Sequence, residues 1–133
     1  MSLATTQGSI LLNTMRKADL EWRLLCITDS LREMSCQATR VQEDMLNEVQ
    51  SMYSYQAILT SENNKDEAEK IVALNSLEFY TAYQQQMAQI NAKEKVLEQE
   101  KLQIENQLKA INTLDEGYQK QLENNLKKSV LNV

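Results

Sequence analysis

The chain contains no proline, no histidine and only two glycines among its 133 residues. Proline and glycine interrupt helices and supply the tight turns on which β-rich and α/β folds depend. Because so little in this sequence can end a helix, we expect an almost wholly α-helical protein. A glycine inside a helix costs about 0.5–1 kcal/mol relative to alanine, so Gly8 and Gly117 need an explanation.

The residue patterns of common enzymes are also missing. No histidine can act as a base or metal ligand, and the sequence has no phosphate-binding glycine loop and no nucleophile elbow. Acidic pairs such as Glu43 with Asp44 are expected on solvated polar faces, whereas acid–base catalysis needs carboxylates that converge in a desolvated pocket. We therefore expect a protein that is not an enzyme and has no cofactor or metal.

Cysteine is nearly absent as well, with Cys26 and Cys36 as the only two. Ten residues of helix span about 15 Å, which exceeds the reach of a disulfide within one chain. We interpret the two residues as small, partly buried thiols. An intermolecular bridge or a redox role is the alternative.

The sequence has no basic stripe, and its formal net charge is -5. Nucleic acid is therefore not an expected partner, because phosphate binding needs clustered Lys and Arg. No apolar run approaches the ~20 residues that cross a bilayer. In the segment LLNTMRKADLEWRLL, Asp19 and Glu21 interrupt the basic side, which disfavours insertion into a membrane surface.

No classical signal peptide is visible in the sequence. We expect the chain to be made as a soluble cytoplasmic protein. An extracellular location would require export without a cleaved leader.

Apolar residues recur at alternating steps of four and three through the first half of the chain. Eleven of twelve such positions are apolar: Leu20, Leu24, Ile27, Leu31, Met34, Ala38, Val41, Met45, Glu48, Met52, Tyr55 and Leu59. A 3.5-residue repeat of this length predicts a coiled-coil seam. Toward the N-terminus the repeat becomes more polar and passes through Lys17, Asn13, Ile10, Thr6 and Leu3.

The polar segment TSENNKDEAEK, residues 60–70, is the one strong interruption of this pattern. Asn64 is suited to cap a new helix, with Glu67 three residues later in the capping-box position. We predict an all-α fold in which two long antiparallel helices form a coiled-coil hairpin over residues 1–133. Helix one covers about 8–60, the turn about 61–65 and helix two about 66–128.

The second helix carries its own repeat. After an apolar start at Ile71, Leu74, Leu77 and Tyr80, five residues recur at intervals of seven, namely Ile90, Leu97, Ile104, Ile111 and Tyr118. The alternate seam positions are mixed in polarity: Glu94, Lys101, Leu108, Asp115 and Leu122. The predicted hairpin core comprises Leu24, Ile27, Leu31, Met34, Val41, Met45, Ile90, Leu97, Ile104, Leu108 and Ile111.

A second apolar row lies beside the first seam. Its most prominent members are Trp22, Leu25, Leu46, Val49 and Tyr53. One partner helix covers only a narrow stripe, so an isolated hairpin would leave this row exposed to water. We predict that the row is an oligomer interface and that oligomerisation completes the core.

The two glycines are predicted to share one level of the hairpin. A hairpin centred near Glu62 or Asn63 places Gly8 beside Gly117, where both termini meet. We predict a terminal packing layer in which the missing side chains permit close backbone approach. Fraying at Gly8 and a tolerated defect at Gly117 form the alternative.

The overall plan resembles that of bacterial type III export filament proteins, which include flagellin-type axial, needle and sheath-filament subunits. The shared features are the Ser/Thr-bearing start MSLATTQGSILLNT, the absence of a leader, and long helices that run to both termini, ending in KQLENNLKKSVLNV. The resemblance implies that both chain ends pair and form the inner wall of a polymer.

We therefore expect a structural, self-assembling coiled-coil subunit of a helical filament or another homo-oligomer. The alternative is a cytosolic coiled-coil adaptor or export chaperone that binds a helical partner. The two differ in their partner, which is a second copy of the chain in the first case and another helical protein in the second.

Overall fold

A computed structural model describes Ser2–Ser61 and Lys65–Leu131. Two helices, α1 (Leu3–Ser61) and α2 (Lys65–Leu131), account for nearly all of these residues, and the described part of the chain contains no strand. The helices pack against each other, so the predicted all-α helical hairpin is confirmed. The predicted hairpin centre at Glu62 or Asn63 and the predicted cap at Asn64 lie outside the described residues.

Helix α1 begins at Leu3, earlier than the predicted residue 8, because Ser2 supplies a cap. The Thr5 N–H donates to Ser2 Oγ at 3.2 Å, which is the N-cap arrangement. The Thr6 N–H donates to the Ser2 carbonyl oxygen at 3.0 Å and continues the helical pattern. Gly8 therefore lies inside α1.

Helix α2 carries complementary charges at its two ends. Asp66 and Glu67 lie in its first turn, and Lys128 lies in its last. Acidic side chains near the amino end and basic side chains near the carboxyl end interact favourably with the helix dipole. The helix continues to Leu131, beyond the predicted end near residue 128.

The described residues divide into two compact units. Unit 1 contains those in Met1–Ser30 and Leu97–Val133, and unit 2 contains those in Leu31–Val96. Each unit thus holds one stretch of α1 and one stretch of α2. The seams of the two units differ in spacing.

In unit 1 the seam follows alternating steps of three and four. The buried or half-buried positions with this spacing are Leu3, Thr6, Ile10, Asn13, Lys17, Leu20, Leu24 and Ile27 in α1, and Leu97, Lys101, Ile104, Leu108, Ile111, Asp115, Tyr118, Leu122 and Asn125 in α2. Leu20, Ile27 and Ile104 are buried apolar residues. The predicted register therefore describes this unit well, including its polar positions.

In unit 2 the alternation of three- and four-residue intervals is broken. The seam of each helix contains two successive intervals of four residues. Half-buried positions in α1 run Leu31, Met34, Ala38, Val41, Met45, Val49, Met52 and Gln56, and those in α2 run Val72, Ser76, Phe79, Tyr83 and Met87 before buried Ile90. Val41, Met45, Phe79 and Tyr83 line one cleft, so the irregular steps of the two helices meet. An extra step of this kind locally unwinds a left-handed supercoil.

Beyond Met45 the predicted seam is wrong at two positions and correct at Met52, which is half-buried, while the Leu59 side chain lies outside the described ones. Glu48 and Tyr55 are exposed, and their neighbours Val49 and Gln56 are half-buried instead. Shifting the seam by one residue buries the apolar Val49 side chain and leaves the Glu48 carboxylate in water, which avoids the cost of burying an unpaired charge. Leu74, Leu77 and Tyr80 in α2 are likewise exposed, and Val72, Ser76 and Phe79 take the seam positions.

The residues predicted as the hairpin core all lie in the seam. Ile27, Ile90 and Ile104 are buried, and the other eight are half-buried: Leu24, Leu31, Met34, Val41, Met45, Leu97, Leu108 and Ile111. Two helices in contact leave the flanks of each seam residue open to solvent, so half-burial is the expected outcome for most of them.

Candidate interaction surface

The side of α1 that faces away from the seam carries a second heptad-spaced row in unit 1. Its members are separated by steps of four and three, and all are exposed: Ala4, Gly8, Leu11, Met15, Ala18, Trp22 and Leu25. We call these seven residues the outer row. Spacing of this kind places side chains along one stripe against which another helix can pack.

The outer row and the seam lie on opposite sides of α1. A helix turns by about 100° per residue, so Met15 is separated from Leu24 by about half a turn. Helix α2 packs on the seam side, where Asn13 and Leu24 are buried or half-buried. The same stretch of α2 therefore leaves most of the outer row uncovered, although Trp22 shares a cleft with Ile104 of α2.

Large apolar side chains dominate the outer row. Trp22 is 64% exposed and Leu25 is 53% exposed, with Leu11 and Met15 in the same range. Burial of a side chain of this size contributes roughly 1.5–3 kcal/mol relative to exposure. Contiguous exposed apolar patches of this kind mark interaction sites in many soluble proteins.

Mainly polar residues border the outer row on both sides, with the exposed Leu12 as an apolar exception on the Asp19 side. On one side Arg23 Nε lies 3.3 Å from a carboxylate oxygen of Asp19, and both side chains are largely exposed. An exposed ion pair of this type contributes little to stability. Gln7, Thr14 and Glu21 lie on the other side and are exposed.

The outer face of α2 in unit 1 has the opposite character. Its exposed residues are mainly polar: Gln99, Gln103, Asn106, Lys109, Thr113, Glu116 and Lys120, with Leu102 as an exposed apolar member. Apolar residues at heptad spacing are thus a feature of the outer face of α1 and not of α2 in this unit.

Two polar side chains are buried on the seam side of unit 1. Asn13 is 4% exposed, and its Nδ2 donates to the Ile111 carbonyl oxygen at 3.0 Å. Thr6 is 0% exposed; its hydroxyl donates to the Ser2 carbonyl oxygen at 3.0 Å and accepts from Asn125 Nδ2 at 3.4 Å. Buried polar positions in a coiled coil fix register and orientation, since a shifted pairing would leave them without partners.

The predicted close backbone approach at the two glycines is not observed within the chain. A Cβ atom added at Gly8 or at Gly117 would meet nothing within 4 Å outside the helix's own backbone, and both residues are exposed. Residue counting predicts a level along the hairpin for each glycine but not the face on which each one lies. Gly8 belongs to the outer row, where its missing side chain leaves a gap.

The predicted interface residues divide between the two units. Trp22 and Leu25 belong to the outer row in unit 1. Leu46 and Tyr53 are exposed in unit 2, and Val49 is half-buried between the helices. Beyond Leu25 the next positions with outer-row spacing are polar, starting with Asp29 and Arg32. These positions separate the two groups along α1.

Unit 2 contains an open apolar groove between its two helices. The groove has a volume of about 470 Å³ and is lined by Met45, Val49, Met52, Tyr53, Val72, Ala73, Ser76, Leu77, Phe79 and Tyr80. Ser76 Oγ donates a weak hydrogen bond to Met52 Sδ at 3.8 Å. Methionine-lined surfaces of this kind adapt to several shapes of apolar partner.

Both cysteines are exposed, so their interpretation as partly buried thiols is wrong. Cys26 borders the outer row and also lines a cleft of about 390 Å³ in unit 1 with Trp22, Ile27 and Ile104. The exposed thiol makes Cys26 a usable attachment point for a probe beside the outer row.

Sequence reasoning missed the extent of the outer row. Of its members, only Trp22 and Leu25 belong to the predicted oligomer interface, although counting back from Leu25 in steps of three and four reaches Ala18, Met15, Leu11, Gly8 and Ala4. The small residues at three of these positions hid the repeat from a search for large apolar side chains. A count of non-polar positions would have found it.

Within the described residues no helix has an apolar stretch long enough to cross a membrane. The sequence matches no protein-family model, and neither a curated protein nor a solved structure shows a significant match to the chain.

Proposed function

We propose that this protein is a structural subunit that assembles with copies of itself through the outer face of α1. The hairpin formed by α1 and α2 is the building block, and helix-to-helix contacts between hairpins complete its apolar core. A helical filament is the assembly that we favour, with a closed homo-oligomer as the smaller form of the same function.

The outer row is the observation that carries this proposal. An exposed stripe with heptad spacing over Ala4–Leu25 matches the requirement for packing another helix, and it lies opposite the intramolecular seam. A helix with apolar stripes on two opposite sides is suited to lie between two neighbours. The resemblance to export filament subunits, in which the terminal helices line the polymer, agrees with a site in the N-terminal part of the chain.

A second candidate function is a coiled-coil adaptor or export chaperone. The groove in unit 2, with Met45, Met52 and Phe79 among its lining residues, favours this alternative because an amphipathic helix of another protein fits such a surface. The two candidates use different surfaces, so variants can separate them.

Sedimentation velocity over a wide concentration range, with electron microscopy of the same samples, tests the proposal. We expect the full chain to associate as its concentration rises. The double variant Trp22→Ser/Leu25→Ser should weaken this association at least ten-fold, because two large side chains lose roughly 1.5–3 kcal/mol each of burial. Leu102→Ser, an exposed leucine on the outer face of α2, is the matched control and should associate like the wild type.

Regular polymers in the micrographs would support the filament, and a discrete oligomer of fixed size would contradict it while retaining self-assembly. A chain that stays monomeric at every concentration would overturn the proposal altogether. Equal weakening by the double variant and by Leu102→Ser would also overturn it, since the outer row would then have no special role.

A further inference from the structure

We infer that the outer row binds the outer row of a second copy in antiparallel orientation, with Met15 of each chain opposite Ala18 of the other. This inference rests on the proposed function and names the partner and the register for the same surface. The two copies are related by a two-fold axis that passes between Arg16 and Lys17. A contact of this type uses one self-complementary patch on both chains and joins two copies, so a filament needs a second contact elsewhere on the hairpin.

Side-chain size is the first argument for this register. With Met15 opposite Ala18, Leu11 lies opposite Trp22 and Gly8 lies opposite Leu25. Two of these three layers join a large side chain to a small one or to none, and every large residue of the row from Leu11 to Leu25 is covered. Alternation of large and small residues across an interface fills space without voids or clashes.

The next antiparallel register and the parallel pairing both fit less well. One heptad step away, Leu11 meets Met15, Gly8 meets Ala18 and Trp22 meets Ala4. One layer then joins two large side chains, the next holds almost no side chain, and no other member of the outer row lies opposite Leu25. Parallel pairing stacks identical residues and places Trp22 on Trp22 and Gly8 on Gly8. Both arrangements would leave gaps at the small layers, and such gaps cost stability.

Gly8 gains a role in the proposed register. Nothing lies within 4 Å of a Cβ atom built at this position, and the residue is exposed. The gap at Gly8 receives the Leu25 side chain of the second copy. A glycine that is unexplained within one hairpin is thus explained by the contact between two.

Charge is the second argument for this register. The two-fold axis brings Asp19 of one chain and Arg16 of the second copy to levels about two residues apart, roughly 3 Å along the helix axis. Asp19 borders the outer row, and Arg16 lies on the same side of α1 but farther around the helix, about 130° from the middle of the row. Both side chains are exposed, and symmetry creates the pair twice. Asp19 keeps Arg23 beside it within its own chain. Exposed pairs add little affinity but favour one orientation over another.

Distances between spin labels on two copies test the orientation and the register together. In the variant Cys36→Ser, the single label is on Cys26; in the variant Cys26→Ser/Cys36→Ser/Leu12→Cys, it is on residue 12. In the proposed register the two Cys26 positions differ in level by about 19 residues, roughly 28 Å, and the two residue-12 positions by about nine, roughly 14 Å. With helix axes 8–10 Å apart, we expect distances of about 30 Å and about 17 Å.

Equal short distances at both positions would indicate parallel pairing and overturn the inference while leaving self-assembly intact. A distance near 40 Å at Cys26 with a short one at residue 12 would indicate the neighbouring antiparallel register and would also overturn it. Absence of any distance between copies, together with a monomer in sedimentation, would refute the proposed function itself.

A charge exchange supplies an independent arm of the test. Arg16→Asp should weaken self-association roughly two- to five-fold, because it places an acid near Asp19 of the second copy. The double variant Arg16→Asp/Asp19→Arg should recover the wild-type association. Failure of the double variant to recover would contradict the register, since the pairing of these two side chains follows directly from it.

Discussion

Unit 1 and unit 2 are built from the same two helices but differ in the regularity of their seams. In unit 1 the steps alternate between three and four. Among the residues whose burial is described, three apolar seam residues of unit 1 are buried, and Ile90 is the one buried apolar residue of unit 2. Unit 2 takes successive steps of four in both helices and opens an apolar groove. The uninterrupted repeat of unit 1 thus coincides with more buried apolar seam residues, and the irregular repeat of unit 2 coincides with a groove of about 470 Å³, compared with a cleft of about 390 Å³ in unit 1.

The two units also differ in how their polar seam residues are used. Unit 1 buries Asn13 and Thr6 and satisfies both by hydrogen bonds, which ties the two helices to one register. Unit 2 avoids the burial of Glu48 by shifting its seam to Val49. Unit 1 therefore has features that specify one pairing, and unit 2 has features that permit adaptation.

The largest expected difference between the units concerns a charge placed in each seam. Ile27→Asp puts an unpaired carboxylate at a buried position of unit 1 and should reduce the free energy of unfolding by several kcal/mol. Met52 is half-buried and lines the groove of unit 2, where water can reach a carboxylate. Met52→Asp should therefore reduce the free energy of unfolding by roughly half as much. Urea denaturation followed by circular dichroism measures both. Equal losses would show that the two seams are equally tight.

A smaller pair of effects tests the shifted seam in unit 2. Val49→Glu should cost about 1–3 kcal/mol, because it introduces a carboxylate between the helices. Glu48→Val, one residue away on the exposed surface, should change the free energy of unfolding by less than about 0.5 kcal/mol. Thermal melts of the two variants suffice. The reverse ranking would restore the unbroken repeat that the sequence predicts.

Asn13→Leu tests whether the buried polar residues of unit 1 fix the register between the two helices. The variant loses the hydrogen bond to Ile111 and gains apolar burial, so its free energy of unfolding should stay within about 1 kcal/mol of the wild type. Register specificity should fall, which nuclear magnetic resonance would detect as additional sets of backbone signals. Asn106→Leu, at an exposed position of α2, is the control. A single set of signals for Asn13→Leu would show that other residues fix the register.

Small gains in stability are expected at the glycines of unit 1. Gly117→Ala and Gly8→Ala should each stabilise the hairpin by about 0.5–1 kcal/mol, because alanine favours the helix and the added methyl group meets nothing. Only Gly8→Ala should also weaken self-association, since it narrows the gap proposed for Leu25 of a second copy. Chemical denaturation and sedimentation measure the two effects separately. A loss of stability in either variant would contradict this prediction, because the added methyl group would then have to clash with a neighbouring atom.

Much of the fold could be predicted from the sequence. The scarcity of helix breakers indicated two long helices, and the heptad count gave the seam from Leu20 to Met45 and from Ile90 to Leu122. These stretches succeed because a large free energy of burial depends directly on the apolar pattern. The start of α1 was missed because a single capping hydroxyl on Ser2 sets it.

The irregular seam spacing of unit 2 and the full extent of the outer row could not be predicted from the heptad count. The seam shifts after Met45 through competition between Glu48 and Val49, and a count that assumes an unbroken repeat cannot detect such competition. In the outer row, Ala4, Gly8 and Ala18 hide a regular stripe behind small side chains. The predicted glycine layer failed because residue numbers give a level along the hairpin but not a direction around each helix.

The hydrogen bonds of the two units also differ in the length of chain that they close. Asn13 and Ile111 are 98 residues apart in sequence, and Thr6 and Asn125 are 119 apart, whereas Met52 and Ser76 are separated by only 24. Closing the longer loop first costs roughly 1.2 kcal/mol more in chain entropy. Unit 2 is therefore expected to form first, and unit 1 then closes toward the chain ends. Substitutions in unit 1 should accelerate unfolding and leave the folding rate almost unchanged.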